Sequence, residues 1–401
     1  MPGQGAAVAI GSGKYFLGAI YGSQTAAREA GNLYIADNYE QVARYIAGCS
    51  VILITLFHSF LPKIAIKTQD ILGLLKSLVL ILAVIMGIVA ACGGTKAPPT
   101  DNYKNLFKDS NFDLIVVVNS FFKVLFVYDG WATINYSLDE FIDPVVNLPR
   151  ASFGAVIACI IMYMGATMAY FAVVPVADLM DPAKGVIGLQ FFSKVFGAQF
   201  GGRFISFLIG LAAFSCVMCI SFASSRLIFE SFRDGYLPFG NTFGRKTSYD
   251  TPIHSLVLYG ALTILYIFVP PAGKAYEMLI DLSSYPEWIF YGLSVLGLIA
   301  LSYTRKDIPR TVRAPLVGNI FFVWFCAAIA IMPFVPPEVL PTDGIPYYTV
   351  PVAGCGVILL CCVWWYFQIV VYKGQENSIN ARAARIQEKN LSLKLNSDDT
   401  L

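Results

Sequence analysis

The residues best placed to do chemistry are charged side chains set in apolar runs: Lys76 in GLLKSLVLIL, Asp129 in FVYDGWATI and Glu287 in SSYPEWIFYG. Asp129 is followed by Gly130, and an acid beside a glycine at membrane depth is tolerated only where loosened backbone lines a protein cavity. Carbonyls freed around Tyr128, Asp129 and Gly130 could accept from an ammonium group, with Gly130 permitting dihedrals that a Cβ resists. Trp131 would cap the second half of such a broken helix. The Asp129 carboxylate has two open roles, binding a cation directly or capping the half-helix N-terminus. Glu287 directly follows Pro286, a pairing that suggests a milder kink facing the cavity. It could carry a proton there, or bond the backbone groups that the proline frees. Lys76 lies about six residues into its span, where a charge costs about 2.5 to 3.5 kcal/mol unless it finds a partner or a cavity. It either serves such a partner or snorkels to the interface. Together these residues point to a small-solute carrier.

The elements that must position them are membrane spans. The chain is 57% hydrophobic and only 13% charged, with a mean hydropathy of +0.64, whereas soluble domains are nearer about one quarter charged. Apolar runs of about 20 residues fall at about 42–61, 71–91, 114–136, 151–174, 204–229, 253–269, 276–301, 317–334 and 349–371, after a short, weak segment at 6–21. The 114–136 span is the broken one, resuming at Trp131 to Tyr136 and ending in a polar loop with Pro144 and Pro149. The reading is an all-α integral membrane protein with a transmembrane core over 1–372 and a polar, charged tail over 373–401. The opening MPGQGAAVAI lacks the basic start and apolar length of a cleavable signal peptide.

Several function classes drop out. The net charge of +2 is scattered, without a basic patch, so no nucleic-acid partner is expected. His58 and His254 are far apart, without metal-ligand spacing or clustered acid/base groups, so the chain is not expected to be an enzyme or to hold a metal or cofactor. Rings of like charge or a repeated filter, as a channel needs, are absent from the sequence. Most of the nine cysteines lie in apolar runs rather than in a disulfide framework, and Cys216 with Cys219 reads as packing. With the tail on the cytoplasmic side, that side collects 16 Lys and Arg against nine opposite, which puts the C-terminus inside.

The strings FVYDGWATINYSLDE, NLPRA, SSRLIFESFRDGYLP and TPIHSL occur in an order and spacing that resemble the amino-acid/polyamine/organocation transporter superfamily. Within it, the chain is most similar to the L-type amino-acid transporters and their fungal methionine-permease relatives. The resemblance implies a LeuT-like fold of two inverted five-helix repeats and transport of a neutral amino acid, with methionine or another large apolar one favoured, across the plasma membrane by alternating access, proton-coupled or by exchange. These strings match the family's sixth to ninth helices, and QDILGLLK at 69–76 the start of its fifth. Phe126 then stands where the family has an aromatic gate over the bound side chain, the alternative being a lipid-facing ring. Lys76 takes the place that a sodium ion fills in related carriers, tying the fifth helix to the eighth around Ser215 to Ser221. Ala132 departs from the Asn of the mammalian branch. The substrate-binding residues expected are thus Phe126, Tyr128, Asp129, Gly130 and Trp131, with Lys76 and Glu287 for coupling.

The resemblance also implies that the sequence begins inside the family's third helix, without the first two. On that reading it is truncated and inactive as it stands, and a non-transporting sensor or regulatory protein is the rival. Gly11, Ser12 and Gly13 spell the GSG of the family's first helix, but a small-residue packing face of the third is the favoured reading. The family's accessory glycoprotein attaches through a cysteine after the third helix. The corresponding loop, Gly22 to Gln41, has none, so a disulfide-linked heavy chain is not expected.

Overall fold

The computed structural model describes residues 2–95, 100–104, 110, 112–132, 135, 143–181, 184–245, 251–270, 275–304, 314–336 and 348–371. The tail at 373–401, half of the stretch expected to resume the broken helix (133, 134 and 136) and the loop residues 137–142 lie outside them. Among the described residues every regular element is helical.

The main helices are α1 Pro2–Tyr21, α2 Tyr39–Phe60, α3 Pro62–Ala91, α4 Leu114–Val127, α5 Pro144–Val173, α6 Ile187–Phe196, α7 Ser206–Arg233, α8 Ile253–Phe268, α9 Ala275–Thr304, α10 Leu316–Ile331 and α11 Thr349–Trp365. A π-helical stretch, Ala198–Ile205, leads into α7. Seven of the described helices are long and apolar enough to cross a membrane. Their outward faces expose Ile71, Leu74, Ile157 and Ile161, as a lipid-facing surface requires, since lipid accepts apolar side chains but no unpaired backbone. This is an integral, multi-pass membrane protein.

The segment expected to be short and weak is instead a 20-residue helix at the centre of the packing. α1 touches α2, α7, α8 and α9, and Ala6, Ala9 and Ile10 pack with Ala47, Val51, Ile54, Val217, Met218 and Ile267 in one buried cluster. Its composition explains both facts. Small residues lower the hydropathy that marks a span, yet they let neighbouring backbones approach closely. Helix α1 runs unbroken through Gly11 to Gly13; Ser12 Oγ donates to the Gly210 carbonyl at 3.0 Å, and a Cβ on Gly13 would lie 2.2 Å from the Ala43 carbonyl oxygen. The GSG string is therefore a packing face.

The expected polar loop at Pro144 and Pro149 is corrected as well. Pro144 opens α5 and Pro149 lies inside it. Proline suits the first turn because its fixed φ is already helical and the amide it lacks has no partner there. α9 likewise continues through Pro286, although the missing amide deprives the Leu282 carbonyl of its helical partner.

Candidate functional site

Helix α4 stops at Val127, and the chain turns through Tyr128 to Ala132. The Asp129 amide reaches back only to the Phe126 carbonyl, at 3.3 Å, and Gly130 sits at φ +102°. That dihedral is open to glycine and strained for a side chain. The break expected at Asp129 and Gly130 is present: Tyr128 N still bonds the Val124 carbonyl at 3.2 Å, and after it the described backbone bonds leave the helical pattern. The structure ends α4 there; Trp131 and Ala132 belong to the turn.

Three helices meet at the break. The Asp129 Oδ1 accepts from its neighbour's amide, Gly130 N, at 2.6 Å. Its Oδ2 accepts from Gln4 Nε2 on α1 at 2.5 Å. The same Gln4 nitrogen donates to Glu287 Oε2 on α9 at 2.7 Å, and the Tyr291 hydroxyl donates to Glu287 Oε1 at 2.7 Å. All four carboxylate oxygens thus accept one bond each, and both carboxylates lean on one amide nitrogen. A primary amide has two N–H groups, so Gln4 can serve both at once. Protonating either bridged oxygen would set donor against donor, and the bridge would have to open or the amide turn over.

Aromatic side chains close the site. Trp131 packs on Tyr291, with ring centroids 5.0 Å apart, and Tyr128 meets Tyr163 edge-on at 5.3 Å. Phe126 packs against the buried cluster that includes Ala6 and Met218, which argues against a lipid-facing ring. Of the two roles open to Asp129, the carboxylate holds the turn by bonding the next amide and is cross-braced by Gln4. Glu287 bonds side chains from two helices rather than the backbone freed by Pro286.

Lys76 does not join this group. It is exposed on α3 and has no ion pair among the described residues, though it lies within electrostatic reach of Cys216 and Cys219 on α7. The tie between the two helices at this level is made by Ser215, whose hydroxyl donates to the Gln69 carbonyl at 3.2 Å.

Gln4 and Tyr291 were missed in the sequence. The signal for Tyr291 was its position one helical turn after Glu287, where side chains on one face meet. For Gln4 it was a lone amide among Gly and Ala in the first turns of α1.

The family model described as "Amino acid permease" matches residues 4–360. The chain is 29% identical to the high-affinity methionine permease of Saccharomyces cerevisiae over 77% of its own length and 55% of the yeast protein's. It is 31% identical to the large neutral amino acids transporter small subunit 2 of Mus musculus, over 73% of this chain and 53% of that one. It is 25% identical to the b(0,+)-type amino acid transporter 1 of the same organism, over 83% and 63%. The chain therefore spans somewhat more than half the length of the curated relatives it matches.

Proposed function

The chain belongs to the amino acid permease family, and from that premise we propose that the full protein is a secondary transporter of a neutral amino acid. Methionine, or another large apolar amino acid, is the substrate that the relatives' names favour. It works by alternating access in the plasma membrane, with the C-terminal segment in the cytoplasm.

The observation that carries this reading is the break in α4, braced through Gln4 to Glu287 on α9. The carbonyls at the end of α4 are acceptors for the substrate ammonium, and Phe126, Tyr128 and Trp131 are the apolar and aromatic surroundings of its side chain. Asp129 and Gly130 hold the turn in shape. Asp129 and Glu287 form the coupling pair: a proton on either carboxyl weakens the Gln4 bridge and so releases α4 from α9. Exchange without proton movement would leave that bridge intact. Lys76 enters only at a distance, from an exposed position on α3 within electrostatic reach of α7 behind the site.

Radiolabelled uptake of neutral amino acids in a permease-deficient fungal strain tests the proposal. Uptake above the empty vector for methionine or a similar substrate supports it. No signal for any neutral amino acid would sink it.

A further inference from the structure

The C-terminal end of α7 carries a cavity that the transport site does not use. It is an open hollow of about 540 Å³, lined by Phe232, Arg233, Phe239, Thr242 and Arg245, with glycines between them. From these residues and their setting we propose that it is a binding site for a phosphate-bearing anion, with a membrane lipid headgroup as the form best matched to its position.

Close backbone packing builds the site. A Cβ on Gly240 would lie 2.6 Å from the Phe232 carbonyl oxygen, and one on Gly244 would lie 2.6 Å from the Gly240 carbonyl oxygen and 3.1 Å from the Arg233 backbone. Only residues without a side chain let the segment after α7 fold back so tightly, and that fold brings Arg245 to the same cavity as Arg233. Phe243 stacks on Phe232 at 4.8 Å, and the Ser255 hydroxyl donates to the Phe243 carbonyl at 3.0 Å, fixing the loop to α8.

The charge favours an anion. Arg233 shares its guanidinium with Glu230 one turn earlier, but a guanidinium has five N–H donors, so that pairing leaves donors for a second acceptor. Arg245 has no ion pair among the described residues. The Thr242 hydroxyl adds a neutral donor. Two guanidiniums suit a phosphate group better than a single-point anion, because each can present two parallel N–H groups.

The depth favours a lipid. Trp364 Nε1 donates to the Tyr236 carbonyl at 3.2 Å, and Gln368 Nε2 to the Gly235 carbonyl at 3.4 Å, so the loop is tied to the end of the last span. That end carries exposed Trp364, Trp365, Tyr366 and Phe367, an aromatic belt of the kind that sits at headgroup level. Phe239, 73% exposed, is held at φ +66° beside the cavity mouth, a left-handed conformation that a bulky residue adopts only when its surroundings impose it. It presents an apolar edge where acyl chains begin. The excess of Lys and Arg puts this face toward the leaflet that holds anionic lipids.

The test uses the purified full protein in nanodiscs of phosphatidylcholine, of phosphatidylcholine with phosphatidylserine, and of phosphatidylcholine with inorganic phosphate in solution. Thermal unfolding is followed for the parent, Arg245→Gln, Arg233→Gln and, as a control on the same side, Arg150→Gln. A rise in Tm with phosphatidylserine that survives Arg150→Gln and at least halves in Arg245→Gln identifies the site and its lipid source. Arg233 also rests on the Phe229 ring, so if Arg233→Gln fails to fold, exposed Arg245 still decides the matter. A rise with inorganic phosphate alone, again lost in Arg245→Gln, supports the anion site and assigns its source to solution. No rise in either arm, or a rise equal in all variants, overturns the proposal.

Discussion

The amide of Gln4 donates to the carboxylate of Asp129 across 2.5 Å, although the two residues are 125 positions apart. The contact joins the first described helix to the break in α4. Because the same nitrogen reaches Glu287 on α9, one side chain sets the spacing of three helices around the site.

Replacing that amide should therefore cost activity before it costs folding. Gln4→Leu removes one donor from each of two carboxylates, and an unmet buried acceptor is worth about 1 to 3 kcal/mol. Methionine uptake normalised to surface protein is expected to fall about tenfold or more, since the loss falls on the working geometry. Uptake equal to the parent would mean that the bridge plays no part in transport.

Two glycines should respond differently to the same substitution. Gly130 is exposed and needs its positive φ, so Gly130→Val strains the turn by about 1 to 3 kcal/mol. Surface protein should stay within about twofold of the parent while uptake is abolished, because the strain sits at the proposed substrate acceptors. Uptake at the parent's rate would show that the break does not shape the site.

At Gly13 the objection is space. A Cβ there would lie 2.2 Å from the Ala43 carbonyl oxygen, and backbone cannot move aside as a side-chain tip can. Gly13→Val should push α1 away from α2, at about 1 to 3 kcal/mol or more of overpacking, and sharply lower surface protein. Normal surface protein in this variant would contradict the central placement of α1.

How much of this was legible in the sequence depended on the kind of signal. Asp129 next to Gly130 was readable because an acid and a helix-breaker in an apolar run conflict with everything around them. Pro144 and Pro149 misled, since proline marks the start of a helix as well as its end, and which applies depends on the caps. α1 was underrated because hydropathy rewards large apolar side chains, whereas Gly and Ala gain their contacts from close backbone approach. Gln4 could not be paired with Asp129 or Glu287 from the sequence, because only the packing of α1 between α7 and α9 brings them together.

Outside the spans, Asp178 gives a pH-dependent test. Hydrogen bonds from Lys184 and Lys194, at 2.5 and 2.8 Å, hold its carboxyl below the ordinary carboxylate range. A group lowered in the folded state favours folding above its unfolded value, near about 3.9, and that contribution is lost as pH falls through the lower folded value. Asp178→Asn should lower Tm at pH 7 by no more than about 3 °C, because these pairs are largely solvent-screened. The gap between variant and parent should close in acid below the unfolded value. A gap that widens in acid would reverse the assignment.

The most direct test of the central claim is methionine uptake with proton entry, followed together in proteoliposomes that contain the full protein and a trapped pH dye. The account predicts that methionine acidifies the parent's lumen. It also predicts that Glu287→Gln and Asp129→Asn still exchange labelled for unlabelled methionine while the acidification disappears. Acidification that persists in both variants, or methionine uptake by the parent with no proton movement, would contradict the assignment of coupling to this carboxylate pair.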